Sequence, residues 1–353
     1  MALTLDARAW LVPEASDDGA RALAEAATDE AARRLQAGGL VGMPTETVYG
    51  LAADADQPDA VARIFAAKGR PADHPLIVHV AGASDTQWRA AVDHYADTLP
   101  TFAERLMRTF WPGPLTLILP RRPGVGQAAA GGQDSIGLRC PGHPVAQALL
   151  QACQARGVLG LAAPSANRFG RVSPTTAAHV LDEFQGLLGA DELLVLDGGP
   201  CPVGIESTII DCTRGRPVLL RPGMLAPSAL EAAAGEPLGV RDPDAPRASG
   251  TLASHYAPNA RVRLMSAAEI QAALDLLGAD ARHIAVYSRA PVASASPHVR
   301  LEHMPEQANA CAQELFAVLR ALDRHDTKLI WVETPPADPA WDGVLDRLTR
   351  AAA

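Results

Sequence analysis

The amino-acid sequence predicts an α/β protein with two domains, a mixed β-sheet domain followed by a smaller one of alternating strands and helices. The chain has 353 residues, and at about 100–200 residues per domain this length indicates two. Residues 1–225 contain apolar strands that follow one another directly, which favours a mixed sheet over a purely parallel one. Residues 261–353 have the pattern βαβαβα, which is typical of a small Rossmann-like domain.

Capping and turn residues mark the elements of the first domain. Thr28 precedes acidic residues and an apolar period that ends at Gly38, which predicts a helix over 28–38. Gly69 ends the second helix, and Ser173 is suited to cap a later one. The predicted helices cover 28–38, 59–67, 101–110, 143–155 and 175–184. The predicted strands cover 40–43, 76–80, 115–119, 135–140, 158–162, 193–196, 207–212 and 218–220.

Proline sets the next region apart. Residues 226–260 contain five prolines and little hydrophobic period, which predicts a stiffened linker. The predicted elements of the second domain are strands over 262–265, 284–287 and 329–332 and helices over 267–277, 307–323 and 338–350. This domain has no GxGxxG after its first strand, so it shows no dinucleotide fingerprint.

Composition excludes several classes of protein. The net charge is −9, and residues 40–225 sum to about −2, which disfavours a broad nucleic-acid surface. No window approaches the roughly 18 unbroken apolar residues of a membrane span. The N-terminus lacks the basic region of a signal peptide, so the expected compartment is the cytoplasm. The five cysteines form no CxxC pair, which argues against structural zinc and a disulfide framework.

Segments rich in hydroxyl and basic residues adjoin the strands of the first domain. PTETVYGL (44–51) places small hydroxyl groups directly after a strand. KGRPADHPL (68–76) contains Lys68 and Arg70, two cations that can converge on a polyanion or simply stabilise a helix C-terminus. His79 lies on the strand that follows.

Three further segments have the same character. Ser135 and Arg139 share one face of a strand, so Arg139 either binds a carboxylate or phosphate or is an exposed edge residue. APSAN (163–167) follows a strand and precedes a helix, where hydroxyl and N–H groups suit phosphate or ribose. GIESTI (204–209) is followed by Arg221 after the next strand.

The sequence lacks the motifs of covalent and metal catalysis. It contains no GxSxG elbow, no Walker GxxxxGK[ST], no HExxH and no Cys/His cluster. Arg, Lys, Ser and Thr recur at strand ends instead. This pattern indicates a polyanion site that positions and neutralises its substrates and supplies no covalent nucleophile.

Six motifs in this order closely resemble the YrdC-like family. They are PTETVYGL, KGRPxxHPL, FWPGPLT, SIGLRCPxHP, APSANxxGxxSPT and GIESTII followed by RPG, over about residues 25–225. The proline-rich linker, HYAP (255–258) and the small α/β domain resemble the long, two-domain members. The resemblance implies a twisted α/β sheet with a concave cavity. It also implies an enzyme that makes threonylcarbamoyl-AMP and pyrophosphate from L-threonine, bicarbonate and ATP, for N6-threonylcarbamoyladenosine at position 37 of ANN-decoding tRNAs.

The resemblance also implies roles for individual residues. Lys68 and Arg70 are expected to bind the ATP phosphates and to be catalytic. The remaining nucleotide-binding residues are expected to be His74, Ser135, Ser165, Asn167, Ser173, Arg221 and, reaching back from the linker as part of a lid, Tyr256. The residues expected to hold threonine are Thr47, His79, Arg139, Ala163 and Ser207, with Arg139 on its carboxylate. Mg²⁺ is expected through the ATP phosphates, and the implied partner is a downstream tRNA threonylcarbamoyl transferase complex.

Two other functions are open to a chain of this family. Carbamoyl-adenylate-forming relatives in hydrogenase maturation have zinc-finger CxxC pairs and further domains, which this chain lacks. A double-stranded RNA-binding module is the second alternative, because related single domains present a basic cavity. The charge of residues 40–225 argues against an extended RNA surface and leaves room for a weak contact with RNA.

Overall fold

A mixed β-sheet organises the first of two units in the computed structural model, which describes residues 2–11, 17–82, 85–323 and 326–353. The first unit comprises Met1–Phe169, Pro174–Pro202 and Glu206–Thr251. The second comprises Gly170–Ser173, Val203–Ile205 and Leu252–Ala353. The expected α/β class with a mixed first sheet is confirmed.

The described residues of the first unit form a ten-stranded sheet in the order β1-β8-β2-β3-β7-β4-β6-β5-β9-β10. The strands are β1 (Leu3–Asp6), β2 (Leu40–Met43), β3 (Gly50–Asp54), β4 (Ile77–His79), β5 (Leu115–Pro120), β6 (Ser135–Arg139), β7 (Leu161–Ala162), β8 (Leu193–Asp197), β9 (Thr208–Asp211) and β10 (Val218–Arg221). Pairing is parallel for β1/β8, β8/β2, β4/β6 and β5/β9 and antiparallel for the rest.

The helices of the first unit are interspersed with the strands along the chain, and several of them pack against the sheet. They are α1 (Asp18–Gln36), α2 (Pro58–Lys68), α3 (Asp85–Tyr95), α4 (Thr101–Phe110), α5 (Pro144–Gln154), α6 (Ala177–Phe184) and α7 (Pro227–Ala234), with a short 3-10 helix at Arg8–Leu11. Strand β5 shows how the two faces differ. Leu115, Leu117 and Leu119 belong to the apolar core, whereas Thr116 and Ile118 face a small pocket. This alternation follows from the two-residue period of a strand.

The second unit is a parallel sheet with the order β11-β14-β12-β13. Its elements are β11 (Arg261–Met265), α8 (Ala267–Leu277), β12 (Ile284–Ser288), β13 (Arg300–His303), α9 (Ala308–Leu322), β14 (Leu329–Glu333) and α10 (Asp342–Ala351), with 3-10 helices at Gly278–Asp280 and Pro339–Trp341. Strand β13 was not expected, because it is short and exposed along its length.

Two predicted helix caps are wrong. Helix α1 begins at Asp18, and Asp17 caps it by accepting a 2.7 Å hydrogen bond from the N–H of Ala20. Thr28 lies inside this helix, where its hydroxyl lies 2.9 Å from the carbonyl oxygen of Glu25. The N-cap of α6 is Thr176, whose side chain accepts from the N–H of His179, and not Ser173, which lies three residues earlier.

The segment predicted as a linker, 226–260, is divided between the two units. Residues up to Thr251 group with the first unit, and those from Leu252 group with the second. Pro227 starts helix α7, because a proline at the first helical position loses no hydrogen bond and has a suitable φ. Gly235 ends that helix in a left-handed conformation.

Candidate functional site

Arg139 lies at the end of β6 and connects two of the sequence motifs. Its Nη1 donates to the hydroxyl of Thr47 at 2.8 Å, and its Nε donates to the carbonyl of Gly113 at 3.3 Å. The side chain is buried, so it is not an exposed edge arginine. The structure therefore joins PTETVYGL, FWPGPLT and SIGLRC at one guanidinium group.

A turn stabilised by Thr45 holds Thr47 in place. The Thr45 hydroxyl accepts hydrogen bonds from the N–H groups of Thr47 and Val48, both at 3.2 Å, and donates to the carbonyl of Val48 at 2.6 Å. A threonine side chain that bonds to the backbone two and three residues on favours a turn over a continued strand. The sequence PTET thus ends β2 and directs Thr47 toward Arg139.

His79 is paired with Arg139 in the parallel register of β4 and β6. Burial and the neighbouring guanidinium group lower the pKa of His79 to about 3. The imidazole is therefore neutral at physiological pH. A neutral imidazole can donate from one nitrogen and accept at the other, which suits a substrate hydroxyl group.

Ser207 is the centre of a second polar group. Its hydroxyl lies 2.7 Å from that of Thr116, and it accepts a 3.2 Å hydrogen bond from Nη2 of Arg221. The Nε of Arg221 donates to the carbonyl of Ser207 at 3.0 Å. These bonds connect the GIEST and RPG motifs, which are separated by β9 and β10 in the chain.

Ser249 brings two cations of the first unit together. Nη1 of Arg221 donates to the Ser249 carbonyl at 2.9 Å, and Nη2 of Arg70 lies 3.5 Å from the Ser249 hydroxyl. The two guanidinium groups thus converge on one residue of a segment that the sequence predicted to be linker. Such a convergence of fixed donors suits an anion with several oxygens.

Lys68 is buried and anchored to the loop that follows β7. Its Nζ donates to the carbonyl of Ser165 at 2.5 Å and to the carbonyl of Asn167. Burial, followed by the neighbouring Arg70, holds the pKa of Lys68 well below its usual range. The structure therefore places Lys68 in the interior, rather than on an exposed helix end.

A pocket of about 20 Å³ lies on the sheet face next to these groups. Its lining includes Ser135, Thr116 and Ile209 from the strands, and Arg247 and Ser249 from the segment predicted to be a linker. Residues 247–249 are held down by Gln133, whose side chain accepts from the N–H of Arg247 at 2.9 Å and donates to its carbonyl at 3.2 Å.

Two other expected residues are at the edges of this group. The His74 ring meets the Phe169 ring edge to face at 5.3 Å, and the guanidinium of Arg70 lies 5.5 Å from the same ring. Burial and then Arg70 lower the pKa of His74. Ala163 is buried, and its N–H donates to the carbonyl of Ile77 at 3.0 Å, so its own carbonyl and methyl group are fixed.

Ser173 and Tyr256 belong to the second unit. The carbonyl of Ser173 accepts a 3.3 Å hydrogen bond from Nε of Arg320. Tyr256 is buried, with its ring 5.4 Å from that of Phe316 and 5.6 Å from the guanidinium of Arg347. The nucleotide-binding roles expected for Ser173 and Tyr256 stay predictions.

Sequence reasoning missed three polar residues of the site. Glu46 lies 2.8 Å from Nη2 of Arg139 and is buried. Thr116 contacts Ser207, and Ser249 contacts two cations. Thr116 could have been found as the polar residue within the apolar strand 115–119, and Glu46 from its place between two threonines. Nothing local in the sequence distinguishes Ser249.

The described residues show neither a cluster of metal ligands nor an exposed thiol. No group of three or more His, Cys, Asp or Glu residues could hold a metal ion there. The cysteines are buried, and burial raises the pKa of Cys140 and Cys153 to about 12. No described helix is both long and apolar enough to cross a membrane.

Comparison with known proteins identifies the family of the chain. Residues 33–223 match the family model for Sua5, YciO and YrdC, which is described as telomere recombination. Residues 223–353 match the model described as threonylcarbamoyl-AMP synthase, C-terminal domain. The chain belongs to the family of Sua5, YciO and YrdC proteins. The resemblance to YrdC-like proteins is thereby confirmed, including its long, two-domain form.

Individual members of the family are similar over nearly the whole chain. Threonylcarbamoyl-AMP synthase of Pyrococcus abyssi is 36% identical, over 91% of this chain and 93% of that protein. The Bacillus subtilis protein of that name is 36% identical over 92% of each. A crystal structure of P. abyssi Sua5 complexed with L-threonine covers 100% of this chain and 97% of that chain, with 33% identity and a TM-score of 0.82.

Proposed function

We propose that this chain is a threonylcarbamoyl-AMP synthase, which forms threonylcarbamoyl-AMP and pyrophosphate from L-threonine, bicarbonate and ATP. This is the first step of N6-threonylcarbamoyladenosine formation in tRNA. The observation that carries the proposal is the convergence of Arg70 and Arg221 on Ser249, beside a buried Lys68. Three fixed cations in a small region of the first unit suit the phosphate chain of ATP.

The polar group around Arg139 would bind threonine. Its guanidinium would take the carboxylate, and the neutral imidazole of His79 would contact the hydroxyl. Thr47 and Ser207 border this side with fixed hydroxyl groups, and Ala163 with a fixed backbone and methyl group. Because these groups are already held by hydrogen bonds, they would bind a small zwitterion in one orientation.

The chemistry fits a site with no covalent nucleophile. The ammonium group of threonine reacts with bicarbonate, with loss of water and one proton, to give a carbamate, whose oxygen attacks the α-phosphorus of ATP. Pyrophosphate leaves with the electrons of the broken P–O bond. Charge develops on the phosphate oxygens, so the main contribution of Lys68, Arg70 and Arg221 is electrostatic. Ser135, Ser165, Asn167 and His74 would hold the rest of the nucleotide.

Mg²⁺ would enter as a complex with the ATP phosphates, where it supplies further positive charge. This mode fits the described residues, which contain no cluster of carboxylates of their own for the ion.

The segment 247–249 would have to move for ATP to enter, because Ser249 occupies the place where the cations converge. We assign 226–260, which contains this segment and Tyr256, to a lid between a catalytic domain (1–225) and a Rossmann-like domain (261–353). A closed lid would keep water from a carbamate and an acyl-adenylate, both of which water destroys.

The product would pass to a tRNA threonylcarbamoyl transferase complex in the cytoplasm. A weak contact with RNA would be confined to the basic cavity, because the first domain has no overall positive charge.

The test is pyrophosphate release by purified protein with ATP, Mg²⁺, bicarbonate and threonine, with each omitted in turn, and mass spectrometry of the product. Release should require all four. Arg70→Gln should lower the rate about 10²–10³-fold, as loss of a preorganised charge does. The matched control is Arg63→Gln on the preceding helix α2, since Arg63 donates to the carbonyl of Gly38, away from the site. Release that ignores threonine would contradict the proposal.

A further inference from the structure

Glu46 is a buried carboxylate that lacks hydrogen-bond donors among the residues that the structure describes. Its side chain is 11% exposed, and its Oε1 lies 2.8 Å from Nη2 of Arg139. Neither carboxylate oxygen has a hydrogen-bond partner within the described ranges, and neither does that nitrogen of Arg139. Arg139 is held by Thr47 and Gly113 through its other nitrogens, whereas Glu46 faces Nη2 of Arg139 with no hydrogen bond from a described residue to fix its carboxylate.

This arrangement is unusual for a permanent structural pair. Buried carboxylates normally accept several hydrogen bonds, because removing them from water is costly. Asp211, buried at the end of β9, is an example in the same unit, since it accepts from the N–H and the hydroxyl of Thr213 and from Arg214. Glu46 has free acceptor capacity beside the residue that would bind the substrate carboxylate.

The neighbouring groups leave the positive end of a zwitterion without another partner. Threonine has an ammonium group two bonds from its carboxylate, so a site with Arg139 on one end needs an acceptor near the other. His79 is neutral, and the Thr47 hydroxyl already accepts from Arg139. Of the described groups in contact with Arg139, Glu46 is the one with negative charge.

We propose that Glu46 binds the ammonium group of threonine while Arg139 binds its carboxylate, an inference that rests on the proposed function. In the empty site the two side chains neutralise each other. The zwitterion would enter between them and exchange one ion pair for two. The same carboxylate would accept from the remaining N–H after the amine has become a carbamate, and so keep that nitrogen in position.

The experiment is calorimetric titration with L-threonine and with 3-hydroxybutanoate, which keeps the carboxylate and hydroxyl groups and lacks the amine. Wild type should bind threonine at least tenfold more tightly. Glu46→Gln, which keeps the size of the side chain, should weaken threonine at least tenfold and 3-hydroxybutanoate less than twofold. The control is Glu104→Gln, a half-buried carboxylate that pairs with Arg108 on its own helix α4 and should change neither affinity.

Three outcomes separate the possibilities. Equal weakening of both ligands by Glu46→Gln would mean that Glu46 only positions Arg139, and would overturn the inference. Equal binding of the two ligands by wild type would overturn it without any variant, so a folding defect cannot obscure the result. Unchanged threonine affinity in Arg139→Gln would refute the threonine site of the proposed function instead.

Discussion

Replacing His79 by glutamine tests the electrostatics of the threonine side. Burial and Arg139 lower the pKa of this histidine to about 3, whereas an unfolded histidine has a pKa of about 6.5. Between these values the unfolded chain binds a proton that the folded chain does not. Stability should therefore fall as the pH falls through about 6.5, and should continue to fall toward pH 3.

The size of the effect follows from the two pKa values. At pH 5.0 the unfolded imidazole is about 1.5 pH units below its own pKa, and each unit corresponds to about 1.4 kcal/mol. His79 should thus lower the free energy of unfolding by about 2 kcal/mol at pH 5.0 and by almost nothing at pH 7.5. Glutamine has no titrating group, so wild type minus His79→Gln should change by this amount between the two values.

Urea unfolding at both pH values measures the difference. Trp88 and Trp111 lie in the core of the first unit, so tryptophan fluorescence reports on it. His303→Gln is the matched control, because it changes an imidazole on the exposed strand β13. If the stability difference between wild type and His79→Gln is the same at pH 5.0 and 7.5, the buried, neutral imidazole is refuted.

Three other substitutions test neighbouring parts of the site. Lys68→Met should lower the rate of pyrophosphate release about 10²-fold or more, because a preorganised charge is lost. It should also lower the unfolding free energy by about 2 kcal/mol, because two buried carbonyls lose their donor. An active, fully stable variant would contradict this. Gly223→Ala should lower the unfolding free energy in urea by about 1–3 kcal/mol, since its Cβ would stand 2.6 Å from the backbone nitrogen of Thr208, and unchanged stability would show that this close approach is absent. Gln133→Ala should speed tryptic cleavage after Arg247 about tenfold, because two hydrogen bonds hold that segment, and an unchanged cleavage rate would mean that something else does.

Sequence patterns predicted the strongly apolar elements of the first domain well and the small-residue ones poorly. Strand β2 and helix α4 have the predicted bounds, because each has a clear period and a clear stop. Strand β3, GLAAD, was missed, since glycine and alanine have little preference for strands. It becomes a strand by pairing with β2 and β7 on either side.

Helix α1 shows a second limit of local patterns. Its first turns are rich in alanine and contain an exposed Leu23, so the apolar period is weak until Thr28. The packing of the helix against α5 and the 3-10 helix at Arg8–Leu11 stabilises that part. The contacts with α5 join residues more than 100 positions apart, which a local window does not contain.

Some residues of the site could be predicted from sequence motifs, and others are visible only in the folded chain. Arg139 and Ser207 belong to motifs whose residue types already suggest a polar ligand, and the structure joins each to a second motif. Ser249 belongs to no motif. It meets Arg221 from 28 positions away and Arg70 from 179 positions away, so only the folded chain shows the contact. Glu46 stands out in the sequence by its place between two threonines, but its ion pair with Arg139 is visible only in the folded chain.

Lys68 illustrates the advantage of a buried cation over one on the protein surface for binding phosphates. A lysine at an exposed helix end would wait in water and would have to lose hydration and side-chain freedom when the phosphates arrive. Here folding has already removed both, and the carbonyls of Ser165 and Asn167 fix the ammonium group before any ligand binds. The cost appears in the lowered pKa of Lys68, which burial and Arg70 produce. An incoming polyphosphate would offset that cost with its negative charge. The buried positive charge that destabilises the protein without ligand therefore strengthens the binding of an anion.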